Sequence, residues 1–117
     1  MSKRILFVED NDSYRQMMVE ILEAYGHRVT QAESGSQALQ LMSSGYTPDV
    51  AIIDLHMPKM DGIELTREIR KRYLTPVYLC TADEKAESLI EGIELIWVVD
   101  KSLEGIRSMI EGVEKVV

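Results

Sequence analysis

Short, unbroken apolar runs punctuate this chain, and each stops abruptly at polar residues. Ile5-Leu6-Phe7-Val8 stops at Glu9 and Asp10, and Val50-Ala51-Ile52-Ile53 stops at Asp54. Val77-Tyr78-Leu79-Cys80, opened by Pro76, stops at Thr81, and Leu95-Ile96-Trp97-Val98-Val99 is followed by Asp100 and Lys101. Continuous rather than alternating apolar runs belong to strands covered on both faces, the situation inside a parallel sheet.

The intervening stretches carry helical spacing. Tyr14, Met17, Met18, Ile21, Leu22 and Tyr25 recur on one helical face; Asp12 or Ser13 can cap that helix and Gly26 can end it. His27 to Ala32 reads as a short strand with Val29 as its main apolar residue. Ser36 to Ser44 reads as a helix with Ala38, Leu39 and Met42 inward and Gly45 at its end. Ile63 to Tyr73 and Glu84 to Ile93 are further helices, the second weaker in pattern. Ile106, Met109, Ile110, Val113 and Val117 give the last helix one apolar face. The result is β-α repeated five times without a linker or internal repeat. Right-handed crossovers then put helices on both sides of one doubly wound sheet.

The 117 residues suit one domain with one real core, and residues 1–117 are read as a single domain with no effector domain visible. Twenty acidic residues against thirteen basic ones give a formal charge of −7, which disfavours direct contact with nucleic acid. A single cysteine, Cys80, precludes an intramolecular disulfide and reads as a buried hydrophobe in a reducing compartment. The apolar run behind Met1-Ser2-Lys3-Arg4 is too short for a signal-peptide core or a membrane span. A cytoplasmic location without membrane association is expected.

The polar residues after the runs are the candidate site. Parallel strands bring their C-terminal ends to one edge, where open α/β sheets bind their ligands. Glu9, Asp10, Asp54, Thr81 and Lys101 therefore converge although they are far apart in sequence. Taken singly, each has a structural reading as a cap, a loop residue or a solvated charge. Together, three carboxylates call for a hard cation such as Mg²⁺. An ammonium and a hydroxyl beside them suit phosphoryl transfer, with Asp54 as the nucleophile.

These residues bring a family into view. Ile5-Leu6-Phe7-Val8-Glu9-Asp10-Asn11, Asp54-Leu55-His56-Met57-Pro58-Lys59-Met60-Asp61-Gly62, Thr81-Ala82 and Asp100-Lys101 resemble the receiver domain of two-component response regulators. The likeness runs over essentially the whole chain, and its most specific segment is Asp-x-x-Met-Pro-x-Met-Asp-Gly. It implies a flavodoxin-like α/β fold, (βα)5, with a five-stranded parallel sheet in the order 2-1-3-4-5. It implies Asp54 as phosphoacceptor and Glu9 with Asp10 as the Mg²⁺-binding pair. It further implies the His56 backbone carbonyl as a metal ligand, Thr81 as the switch hydroxyl and Lys101 as the lysine that pairs with the phosphoryl group. The implied donor is a sensor histidine kinase or phosphotransfer protein. An output partner or effector domain and a homodimer are further implied partners. Pro58 is read as stiffening its loop and Gly62 as relieving a turn before the next helix.

Three features depart from the family pattern. Ser102 follows Lys101 where proline is usual, so a less rigid placement of Lys101 is expected. Val98 stands where Tyr or Phe commonly rotates as a switch, and Trp97 beside it points to the opposite face. The stretch from Thr81 to Lys101 is slightly short. Two other functions are compatible with parts of this pattern. A receiver-like module that binds partners without phosphorylation is one alternative: the presence of all five chemical residues argues against it, and the altered output region at Val98 and Ser102 argues for it. A phosphohydrolase of the haloacid dehalogenase type needs a second Asp two residues after the first, where this chain has His56.

Overall fold

A computed structural model describes residues 2–115. The elements alternate as the apolar runs demand: β1 (Arg4–Val8), α1 (Asp12–Ala24), β2 (Arg28–Ala32), α2 (Gly35–Ser43), β3 (Val50–Asp54), α3 (Gly62–Arg70), β4 (Val77–Thr81), α4 (Ala86–Leu89), β5 (Ile96–Asp100) and α5 (Leu103–Glu114). The strands form one parallel sheet in the order β2-β1-β3-β4-β5, as the resemblance implies.

Strand residues alternate between the two faces, and each face builds its own core. On one side Leu6, Val8, Ala51, Ile53 and Leu79 meet Ala38 and Met42 of α2 and Leu65 and Ile69 of α3. On the other, Ile5, Phe7, Ile52 and Cys80 meet Met18 and Leu22 of α1 and Met109 and Val113 of α5. All five residues of β3 are buried, so the central strand has no polar side chain until Asp54.

Several helix starts are fixed by side-chain caps. Asn11, rather than Asp12 or Ser13, caps α1 and accepts from the Tyr14 N–H at 2.9 Å. Ser34 caps α2 by accepting from Gln37. Asp61 caps α3 by accepting from Ile63 and Glu64, while Glu64 accepts from the Asp61 N–H to complete a capping box. Ser102 caps α5 through Gly105. Gly26 and Gly45 end their helices at positive φ, as read from the sequence.

Some elements differ from the sequence reading. The helix expected from Glu84 to Ile93 is a single turn, Ala86–Leu89, with no side-chain cap. The α1 face is rotated: Met18, Val19 and Leu22 are buried, whereas Met17 and Tyr25 are 45% and 58% exposed. Two overlapping apolar stripes exist in that helix, and packing selects one. In β2 the buried residue is Ala32, with Val29 only half-buried, because β2 is an edge strand. The expected inward Val117 lies outside the described residues.

Candidate functional site: a carboxylate cluster at the sheet edge

Register brings the polar ends together. Val8 pairs with Ile53, Asp54 with Cys80 and Thr81 with Asp100. Glu9 and Asp10 thus leave β1 beside the end of β3, and Lys101 leaves β5 beside the end of β4. Glu9, Asp54 and Thr81 are buried, while Asp10 is exposed. Glu9, Asp10 and Asp54 each offer a carboxylate oxygen within 4.8 Å of the others.

Lys101 enters this cluster from β5. Its ammonium lies 2.5 Å from Asp54 Oδ1 and 3.6 Å from Glu9 Oε1. Asp54 Oδ1 is fully buried, yet it has no partner in hydrogen-bonding geometry. Distance and orientation therefore disagree. The contact is one of opposite charges in close approach, and the oxygen retains lone-pair capacity for another electrophile.

The local electrostatics follow from crowding. Burial raises the Glu9 pKa above the usual carboxylate value. The Asn11 N–H opposes that rise, and the Asp54 charge adds to it. Burial alone would lower the Lys101 pKa, but the Asp54 contact and the fields of Asp54 and Glu9 outweigh it, and the net shift is upward. Lys101 is therefore a fixed positive charge. One ammonium among three carboxylates leaves the cluster two negative charges in excess.

That excess and the oxygen-only donor set fit a Mg²⁺ ion. Two oxygens across an ideal Mg²⁺ site stand about 4.2 Å apart, so a 4.8 Å cluster closes by small side-chain movements. A cleft of about 490 Å³ lies among Leu39, Gln40, Ser43, Glu68 and Tyr73, and none of the five candidate residues lines it.

The remaining candidates are placed by chain position rather than by contact with the carboxylates. Thr81 Oγ1 accepts from the Asp83 N–H at 3.0 Å, so the hydroxyl is tied to the loop that follows β4. The His56 ring is exposed, and its Nε2 lies 3.8 Å from Asp83 Oδ2. Two residues were missed by sequence reasoning. Arg15 donates to the Glu9 backbone carbonyl at 2.7 Å and to Asp12 and Gln31, clamping the turn that carries the acidic pair. The Tyr14 ring lies beneath Lys101, its centroid 5.0 Å from the ammonium. Helical spacing marked Tyr14 as apolar and gave no sign of what it would face.

Gly62 has a different role from the turn relief read from the sequence. It is the first residue of α3 and is not among the glycines at positive φ. A Cβ there would come 2.5 Å from the Asp54 carbonyl and 2.9 Å from Leu55 Cα. Gly62 lets α3 begin directly against the strand end that carries Asp54.

A family model described as the response regulator receiver domain matches residues 5–99. The chain belongs to that family. It is the receiving module of two-component signalling, and receivers of this family bind Mg²⁺ at an acidic pocket of the kind formed here by Glu9, Asp10 and Asp54. The response regulator TrrA from Thermotoga maritima, solved in complex with Mg²⁺-BeF, is 32% identical, with 98% of this chain and 99% of that one covered at a TM-score of 0.86. The regulatory protein AtoC from Escherichia coli (strain K12) is 37% identical over 91 residues, covering 77% of this receiver and 20% of AtoC. The alkaline phosphatase synthesis transcriptional regulatory protein PhoP from Bacillus subtilis (strain 168) is 33% identical over 96 residues, 81% of this chain and 40% of PhoP. This receiver thus spans 40% or less of the length of these curated relatives. Among its described residues no helix is long and apolar enough to cross a membrane.

Proposed function

We propose that this receiver accepts one phosphoryl group on Asp54, in a Mg²⁺-dependent reaction, from a sensor histidine kinase or a phosphotransfer protein. One Asp54 oxygen forms a bond to phosphorus as the donor nitrogen leaves with the electron pair of the broken P–N bond. Glu9 and Asp10, with Asp54 and the His56 backbone carbonyl, would hold the ion. When bound, Mg²⁺ supplies positive charge to the phosphoryl oxygens. Lys101 supplies the second positive charge, and the Thr81 hydroxyl donates to a phosphoryl oxygen. The same residues support slow hydrolysis of the acyl phosphate, with no separate substrate. The phosphorylated domain then changes its affinity for an output partner, an effector domain or a second copy, in the cytoplasm.

The observation that carries this reading is the Lys101 ammonium against Asp54 within a three-carboxylate cluster. The test is direct: intact mass after incubation with acetyl phosphate and Mg²⁺. The wild-type mass rises by one phosphate, and the rise disappears with Asp54→Asn or with a chelator. Equal labelling of the Asp54→Asn variant refutes the acceptor assignment.

A further inference from the structure

We propose that Tyr14 is a positioning residue for Lys101, its ring face holding the ammonium toward Asp54. This rests on the phosphoryl-transfer reading above. Lysine carries its charge on a flexible four-carbon stem with many rotamers. Ser102 fixes the backbone after Lys101 by capping α5, but that bond ends at the backbone and does not orient the side chain. The partners of the ammonium are Asp54 at 2.5 Å, Glu9 at 3.6 Å and the Tyr14 ring centroid at 5.0 Å.

Those partners behave differently during the reaction. Asp54 and Glu9 carry oxygens that a cation would take, and Asp54 is the one that becomes an acyl phosphate. Their own pull on Lys101 weakens when either event occurs, and phosphoryl oxygens replace it only once transfer has taken place. The ring has no formal charge to lose, and 5.0 Å is within the range where its face attracts a cation. Tyr14 is also anchored. Its N–H is held by the Asn11 cap, and its half-buried ring packs on the core shared by α1 and α5. It is the partner that persists as the site changes state. The ring face carries this role, so the hydroxyl is dispensable.

The experiment compares Tyr14→Leu and Tyr14→Phe, each in the wild-type and Lys101→Ala backgrounds. The readouts are the acetyl phosphate labelling rate at saturating Mg²⁺ and the Lys101 side-chain resonances by NMR. Tyr14→Leu is expected to slow labelling about three- to thirtyfold, the range of a partly desolvated cation–ring contact. Tyr14→Phe stays within about twofold, and Tyr14→Leu has no further effect once Lys101 is Ala. The Lys101 ε-methylene protons, shifted by the ring current in wild type and Tyr14→Phe, return toward exposed-lysine positions in Tyr14→Leu. An unchanged rate in Tyr14→Leu overturns the proposal. So does an equal loss in Tyr14→Phe, or a Tyr14→Leu loss that persists without Lys101. If wild type is not labelled at all, the phosphoryl-transfer reading fails, and the resonances alone decide whether the ring holds Lys101.

Discussion

Replacing Gly62 by Ala tests how closely the site depends on helix packing. The added Cβ would sit 2.5 Å from the Asp54 carbonyl oxygen, where ordinary contact begins at 3.4 Å. The start of α3 and the end of β3 must therefore part by roughly 0.9 Å. Both sides of the clash are backbone or core: Leu79 Cδ1 is 2.7 Å away and Leu55 Cα 2.9 Å. The Gly62 N–H also donates to the Leu55 carbonyl at 2.8 Å, so the strain falls on a bond that ties α3 to the strand end. Overpacking of this kind costs about 1–3 kcal/mol. The helix propensity gained from alanine offsets at most about 1 kcal/mol of that.

The functional loss should exceed the loss of stability. A displacement near 1 Å in a reacting group costs on the order of 100-fold in rate. Gly35→Ala is the matched control. Its Cβ meets only the Met60 side chain, Sδ at 2.8 Å and Cβ and Cγ at 3.2 Å, so a flexible side chain turns at its end and gives by a few tenths of an ångström at its base, with no backbone in the way. Denaturant melts and acetyl phosphate labelling should show Gly62→Ala folded, destabilised by about 1–2 kcal/mol and at least tenfold slower. Gly35→Ala should stay within about 0.5 kcal/mol of wild type and label normally. A Gly62→Ala protein with wild-type stability and rate would refute the close-approach argument.

Mg²⁺ at about 100 times its dissociation constant should raise stability by about 2.7 kcal/mol, and Asp10→Ala should remove most of the gain; calorimetry with and without the ion checks this. Burial pushes the Cys80 thiol up to about 12 from an ordinary value of 9.0. The folded state thus favours the protonated thiol, and its contribution is complete below pH 9.0 and lost as the pH rises toward 12. Iodoacetamide at pH 8 should accordingly leave native Cys80 unmodified and label it only after unfolding, as read by mass. Arg70 donates to the carbonyls of Tyr73, Glu94 and Leu95. Arg70→Ala should cost roughly 2 kcal/mol in a denaturant melt, against under about 0.5 for the exposed Arg67→Ala.

Strands and their polar ends were legible because each depends on local composition alone. Once four apolar runs are buried in a parallel sheet, the placement of Glu9, Asp10, Asp54 and Lys101 follows from topology. What escaped depends on tertiary detail. Three consecutive polar residues, Asn11, Asp12 and Ser13, could each cap α1. Asn11 does so at the turn where its N–H meets Glu9 Oε2 and Arg15 clamps the Glu9 carbonyl. Gly62 looks like a turn glycine until the strand it abuts is known. Tyr14 reads as a core residue, and its contact with Lys101, 87 positions later, exists only because the Lys101 side chain reaches from the end of β5 back across the sheet edge to the start of α1. The short α4 was overread because Ile90 and Ile93 continue an apolar spacing beyond it. The chain is instead turned at Gly92 and again at Leu95, both at positive φ.

Loss of the usual aromatic at Val98 bears on how a phosphorylated site could reach the surface. Val98 is half-buried against the core under α3 and α4, and a β-branched side chain has no ring to swing. Trp97 lies on the other face of the sheet, tilted against Tyr78 with centroids 5.8 Å apart. Substituting for the missing ring would require a register shift of β5 and the loss of its pairing with β4. The connection after Thr81 offers an easier route. Thr81 Oγ1 holds the Asp83 N–H, the Asp83 carbonyl takes the Ala86 N–H, and the single turn of α4 lacks a side-chain cap. On the proposed reading, a phosphoryl group draws the Thr81 hydroxyl inward, and the Asp83 N–H loses its acceptor. The other hydrogen bonds of this loop, from the Lys85 N–H to Asp83 Oδ1 and from Ser88 to the Lys85 carbonyl, are short-range, so the segment opens at low cost once Asp83 is released. Hydrogen exchange with and without a beryllofluoride phosphoryl mimic should therefore change most across Ala82 to Glu87 and little at Trp97 and Val98. A large change at Trp97 or Val98 with a quiet loop would refute this route, because the rigid sheet edge would then be the moving part.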